Sequence, residues 1–151
     1  MLERPKPIWV NTHFNHPQEI TAPAAEACRR LVHAGIPMGN QSVLMRGIND
    51  DPATMKTLCE KLVRIRVRPY YCYQAQLLEG TGHFRVPIER GLEIFSALRG
   101  RTSGFAIPRY VLDTPHGKVP LERSSLQGRD GDEVLVEAWN GETWREPNPP
   151  D

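Results

Sequence analysis

The sequence predicts an α/β fold: a partial (β/α) barrel of about four parallel strands and three helices, with a C-terminal β-hairpin extension. Three observations carry that expectation. Strand-like and helix-like stretches alternate with short connections, as in parallel βαβ units. Each helix-like stretch sets apolar residues on one face of a 3.6-residue period. Polar residues gather where the predicted strands end: His13, Asn15 and His16; Asn49 and Asp50; Gln76 and Glu79; Asp113 and Lys118. In such folds the loops after strand C-termini carry function.

Ile8 to Phe14 reads as the first strand, with Ile8, Trp9 and Val10 as a buried run. A helix follows from about Pro23, with Ala24, Ala27, Cys28, Leu31 and Val32 on one face, Thr21 as its cap and Gly35 at its end. Pro37 to Met45 reads as the second strand, ending in a polar loop at Arg46 to Asp50. Asp51 caps the next helix and Pro52 takes its first position, while Met55, Leu58, Cys59, Leu62 and Val63 form its apolar stripe. A third strand covers about Val67 to Ala75 and contains Tyr70, Tyr71 and Tyr73. After the loop Glu79 to Arg85 comes a helix with Ile88, Leu92, Phe95 and Leu98 facing inward, stopped by Gly100. A fourth strand runs from about Phe105 to Leu112. Beyond Lys118 the pattern changes. Gly128 to Asp132 reads as a polar turn. Asn140-Gly141, between Glu133–Trp139 and Thr143–Arg145, is a type I′ hairpin signal, and Pro147 to Asp151 reads as a frayed end. Two parts are expected, residues 1–121 and 122–151. Four strands do not close a barrel, and a partial parallel sheet leaves an unpaired edge and an uncovered face.

Length and charge exclude several classes. The 151 residues suffice for one domain with a core. Lysine and arginine number 19 against 18 acidic residues, so the net charge of +1 gives no electrostatic pull toward nucleic acid or an anionic membrane. The basic run Arg64 to Arg68 alternates with apolar residues and suits the edge of an element. No 18-residue apolar stretch could span a membrane, and Met1 to Pro7 has no apolar signal core, so a cytoplasmic location is expected. Cys28, Cys59 and Cys72 are widely spaced and form no CxxC or CxxxCxxC, so they read as reduced core residues rather than metal ligands. His13 and His16 lie three apart but lack a third ligand, and no metal site is expected.

Five segments carry a resemblance: NTHFNHPQEIT from Asn11, GIPMGNQSVLMRGINDDP from Gly35, KLVRIRVRPYYCYQ from Lys61, EGTGHFRVPIERGLEI from Glu79 and LRGRTSGFAIPRYVLDTPHGKVPL from Leu98. Together, from residue 8 to about 121, they resemble the C-terminal part of the lysine 2,3-aminomutase family of radical S-adenosylmethionine enzymes. The resemblance implies a barrel of the radical S-adenosylmethionine (radical SAM) type. It also implies exchange of an amino group between adjacent carbons of a small amino acid. Pyridoxal phosphate, S-adenosylmethionine and a [4Fe–4S] cluster would be the cofactors, with the protein orienting them.

Residue by residue, Lys118 matches the pyridoxal phosphate lysine, a role that needs a primary amine able to shed its proton. Read alone, it is a solvated residue of a Gly-Lys-Val-Pro turn. The segment before it, Asp113-Thr114-Pro115-His116-Gly117, is shorter than the family's glycine-rich loop. Asp113 matches one of two carboxylates that hold the distal ammonium of lysine in lysine-specific members, and reads otherwise as a turn residue before Pro115. The second carboxylate position falls on Gln76, with Glu79 three residues on. An amino acid with a polar or cationic side chain is therefore the expected substrate. His13 and Gln41 match positions that contact S-adenosylmethionine. The position where some members place a zinc-binding cysteine is Asp51, so no zinc is expected. The cluster's CxxxCxxC motif and the arginines that grip pyridoxal phosphate lie upstream in the family and are absent here. The expectation is thus a fragment inactive alone, completed by a separate N-terminal half or used in a homo-oligomer. The alternative is a non-catalytic relic or small-ligand-binding module.

Overall fold

A computed structural model describes residues 6–138 and 140–149. Strands β1 (Val10–Thr12), β2 (Met38–Leu44), β3 (Arg68–Gln74), β4 (Arg109–Thr114) and β5 (Gly117–Pro120) form one sheet in sequence order. The first four run parallel and β5 returns antiparallel to β4. Helices α1 (Ala22–His33), α2 (Pro52–Arg64) and α3 (Ile88–Leu98) provide the crossovers. A second, antiparallel sheet holds β6 (Leu126–Asp130), β7 (Glu133–Glu137) and β8 (Thr143–Pro147).

The helices pack on one face of the first sheet, and the period-two alternation of strands shows which. Met38, Asn40, Ser42 and Leu44 of β2 are buried, with Cys72 and Gln74 of β3 and Tyr110 and Leu112 of β4 beside them. Met55, Leu58, Cys59 and Leu62 of α2 and Ile88, Ile94, Phe95 and Leu98 of α3 complete that core. The opposite face carries Asn11, Gln41, Val43, Tyr71, Tyr73, Arg109 and Asp113, which are half-buried or exposed except where Val111 sits. No helix among the described residues is long and apolar enough to cross a membrane.

Local signals act where the sequence places them. The Thr21 hydroxyl accepts from Ala24 N at 3.3 Å, and the Asp51 carboxylate accepts from Ala53 N at 3.0 Å and Thr54 N at 2.9 Å. These bonds, those to Thr54 foremost, hold the Asp51 carboxyl below its ordinary 3.8. A depressed folded-state value means that the contribution is complete above pH 3.8 and lost as pH falls through the folded value. Asp51→Ala should remove about 1 kcal/mol at neutral pH, and Asp51→Asn should keep most of it but lose the acid dependence. Denaturant titrations at neutral and acid pH check both.

Tyr110 stacks on Phe95 with ring centroids 5.2 Å apart, and its hydroxyl donates to Gln74, whose amide donates to Val86 O at 2.8 Å. Gly91 makes room for this: a Cβ there would run into the Tyr110 ring. Gly91→Ala should therefore destabilise by about 1–3 kcal/mol, the usual range for overpacking, with loss of the Tyr110 contribution to near-ultraviolet circular dichroism.

Several expectations are corrected. Ile8 and Trp9 are not a buried run; they are 63% and 75% exposed, because they precede the first pairing, Val10 with Met38, and β1 has one neighbour only. Ala27 is exposed, and Cys28 is the one fully buried residue of α1, which overlies the sheet edge. In α3, Leu92 is half-buried while Gly91 and Ile94 are buried. The fourth strand starts at Arg109, since Ser103 caps a short turn at Gly104–Ala106 that leaves Phe105 exposed under the Arg68 guanidinium. The stretch from Asp113 to Lys118 is a hairpin rather than a loop: Asp113 pairs with Lys118 and Thr114 with Gly117. The expected polar turn lies partly in β6, and the reversal is centred on Gly131 (φ 58°). At the β7–β8 reversal Gly141 takes a positive φ (82°) and its N donates to Ala138 O at 3.0 Å. The C-terminal end is anchored as far as Asn148, which is fully buried. Met1–Pro5, Trp139, Pro150 and Asp151 lie outside the described residues.

Candidate functional site

A cavity of about 520 Å³ opens at the C-terminal ends of the parallel strands, large enough for a small organic ligand. His13 and Asn15 follow β1, Val43 and Met45 end β2, and Tyr73, Ala75 and Gln76 end β3. Leu78, Thr81 and Phe84 come from the β3–α3 loop, and Asp113 from β4. The walls are thus largely apolar, and the polar groups sit where a ligand's functional groups would be fixed.

Backbone-binding asparagines hold these strand ends. Asn40 Oδ1 accepts from Phe14 N at 2.7 Å and Thr12 Oγ1 at 2.9 Å, while its amide donates to Phe14 O at 3.0 Å. Asn15 Oδ1 accepts from Val43 N at 2.8 Å. Asn49, fully buried, accepts from Met45 N and donates to Asn15 O and Val43 O, each at 2.8 Å. Each replaces a ladder bond that ends with the strand, and a buried amide with all partners met fixes geometry. Arg46 fixes the remaining wall by donating from its backbone N to Phe84 O at 2.8 Å and from Nε to Arg85 O at 3.0 Å.

At the mouth, Gln76 Nε2 donates to Asp113 Oδ2 at 3.3 Å, and Lys118 Nζ lies 3.8 Å from Asp113 Oδ1. Lys118 Nζ also stands 5.9 Å from the Tyr73 ring centroid. The side chain of Lys118 is 46% exposed, so its amine can meet an incoming ligand. Burial raises the Tyr73 phenol above its ordinary value; Lys118 opposes the shift and Asp113 adds to it, so Tyr73 faces the cavity neutral.

The family model described as Lysine-2,3-aminomutase matches residues 95–150. The chain is 48% identical to the L-lysine 2,3-aminomutase of Clostridium subterminale, over 97% of this chain and 36% of that protein. It is 47% identical to the L-lysine 2,3-aminomutase of Bacillus subtilis, over 99% of this chain and 32% of that protein. The chain belongs to the lysine 2,3-aminomutase family. Similarity extends to the glutamate 2,3-aminomutase of Clostridioides difficile, 47% identical over 93% of this chain and 34% of that protein. The chain spans about a third of the length of the curated relatives it matches.

Within this aminomutase-family chain, the structure brings together four of the five residues singled out from sequence. His13, Gln76 and Asp113 line the cavity, and Lys118 stands at its rim. Gln41 shares the open face of β2 with Val43 but lies two residues further from the mouth, outside the lining. Glu79 is exposed in the β3–α3 loop and also lies outside the lining. His16 caps a short turn, its Nδ1 accepting from Gln18 N at 3.3 Å. Tyr73 was visible only as a strand tyrosine; its position two residues beyond Tyr71 on the open face was the available signal. Arg85 and Glu146, whose buried ion pair backs the cavity loop, are 61 residues apart, and no sequence pattern joins them.

Lys118, Asp113 and Tyr73 fit the amine-reactive end of pyridoxal phosphate: a primary amine, a carboxylate beside it and an aromatic wall. No lysine or arginine lines the cavity among the described residues, so a grip on the phosphate is not found there. The cysteines do not fit a cluster. Cys28, Cys59 and Cys72 are buried free thiols, and burial pushes those of Cys59 and Cys72 up to about 12. Among the described residues no group of three or more His, Cys, Asp or Glu could hold a metal ion.

Proposed function

We propose that these residues form the pyridoxal-phosphate-lysine part of an amino acid 2,3-aminomutase of the lysine 2,3-aminomutase type. The observation that carries the reading is that His13, Gln76 and Asp113 line one cavity and Lys118 lies beside it, 3.8 Å from Asp113, in a chain about 48% identical to aminomutases. Pyridoxal phosphate, when bound, holds an amino acid's nitrogen so that it can pass between adjacent carbons. Lys118 supplies the amine that takes the cofactor, and Asp113 Oδ1, 3.8 Å from it, is its nearby counter-charge until then. Val43, Met45, Leu78 and Phe84 exclude water from the ligand. Gln76 and Asp113 meet the substrate's distal end, and His13 contacts the nucleoside or amino acid part of S-adenosylmethionine. With one carboxylate and one amide at that end, the substrate is an amino acid whose side chain ends in a polar or singly charged group. In this reading the cluster and the phosphate-binding arginines come from residues outside this sequence, the 151 residues alone do not start the radical reaction, and the setting is the cytoplasm.

The test joins the chain to the N-terminal part of the Clostridium subterminale relative and assays the 2,3-amino shift anaerobically. Product that disappears in Lys118→Ala supports the proposal. A folded, cofactor-loaded hybrid in which Lys118→Ala turns over unchanged overturns it.

A further inference from the structure

The hairpin that carries Lys118 outruns its parent sheet. Pairing between β3 and β4 ends at Tyr73 with Val111, whereas β4 and β5 continue to Thr114 and Gly117. Beyond Val111 the ladder to β3 has ended, and the polar contacts to the β3 side are the 3.3 Å bond from Gln76 to Asp113 and the approach of Lys118 Nζ to the Tyr73 ring at 5.9 Å. Leu112 and Val119 anchor the base of the hairpin in the core, but among the described residues β5 has no second neighbouring strand, so its tip, from Asp113 to Lys118, stands beyond that anchor.

The second sheet supplies that hold. At the hairpin tip, Thr114 Oγ1 donates to Gly117 O at 2.8 Å and accepts from His116 N at 3.2 Å, which closes the turn that carries His116. His116 Nδ1 lies 2.8 Å from Glu142 Oε2 in the β7–β8 loop, and its ring meets Trp144 edge-on, with centroids 6.5 Å apart. Trp144 Nε1 donates to Glu146 Oε2 at 2.8 Å, and Glu146 pairs with buried Arg85, which anchors the loop bearing Leu78, Thr81 and Phe84. One strand, β8, with the loop before it, thereby ties both walls of the mouth together.

We propose that His116 is a positioning residue, docking the Lys118 hairpin onto the C-terminal sheet through Glu142 and Trp144 so that the amine stays over Tyr73 and Asp113. The inference rests on Lys118 as the cofactor lysine for its functional meaning, but its physical content is independent of that role. Amide hydrogen exchange on the whole chain tests it. His116→Ala should speed exchange between Thr114 and Leu121 about two- to fivefold, the range that an exposed ion pair supports. Exchange in α2 should not change. His116→Gln, whose amide can still donate to Glu142, should restore most of the protection. Glu142→Ala should raise hairpin exchange in the same direction but by less than His116→Ala, because the ring's contact with Trp144 remains, and the double variant should be no worse than His116→Ala. Unchanged hairpin exchange in His116→Ala overturns the inference, as does an equal rise throughout the chain or a failure of His116→Gln to restore protection. Covalent labelling of Lys118 by pyridoxal phosphate is scored separately on the wild-type chain: its failure would remove the cofactor role while the exchange result still decides the docking.

Discussion

Glu146→Ala should destabilise the protein by about 3–5 kcal/mol, the range for removing one partner of a buried ion pair. Arg85 and Glu146 side chains are 3% and 8% exposed. Arg85 Nη2 donates to Glu146 and, at 2.6 Å, to Pro147 O, while its Nε and Nη1 are buried without a hydrogen-bond partner among the described residues. The guanidinium is thus already under-satisfied, and losing its counter-charge leaves a cation in the interior. Trp144 Nε1 loses its acceptor in the same step. Against a typical net stability of about 5–15 kcal/mol, that loss leaves a marginal fold. Replacing both charges, Arg85→Met with Glu146→Leu, should be milder than Glu146→Ala, because no charge remains buried. Urea midpoints measured at one protein concentration separate the two outcomes.

The second large effect concerns substrate. In the hybrid enzyme, Asp113→Asn should raise KM for a cationic amino acid about tenfold or more, as expected for loss of a charge-assisted bond of about 1.5–3 kcal/mol. The Gln76→Asp change should act oppositely on L-lysine: it sets a second carboxylate beside Asp113, and a distal ammonium can then bridge the two. Without that cation the two anions repel, so Gln76→Asp should also destabilise the ligand-free protein above the carboxylate range. Steady-state kinetics with L-lysine and with a neutral amino acid of similar length would expose the trade. An unchanged KM in both variants would show that this end of the cavity does not meet the substrate's side chain.

How much of this was legible in the sequence depended on the range of the forces involved. The Asp51-Pro52 start of α2 is a local cap followed by an apolar stripe, and it forms where expected. β6 was unreadable because Leu126 to Asp130 has no apolar alternation; four of its five residues are exposed and it exists by pairing with β7. β5 was hidden by Gly117 and Pro120, which read as turn residues yet suit an edge strand. The end at Asn148 read as frayed because its partners are distant. Its Oδ1 accepts from Ile88 N at 2.7 Å and its amide donates to Glu89 at 2.7 Å, so it caps α3 where Pro87 cannot. For the site, chemistry and order gave Lys118, Asp113, Gln76 and His13, but the pairings that bring Gln76 and Lys118 to Asp113 beside the cavity belong to the fold alone.

The most direct test of the central claim is to mix the purified chain with pyridoxal phosphate, reduce with borohydride and map the modified lysine by mass spectrometry. The account predicts a label at Lys118 above all other lysines, lost in Lys118→Ala and reduced in Asp113→Ala. A label spread evenly over the surface lysines, or one concentrated elsewhere and indifferent to Lys118→Ala, would contradict it.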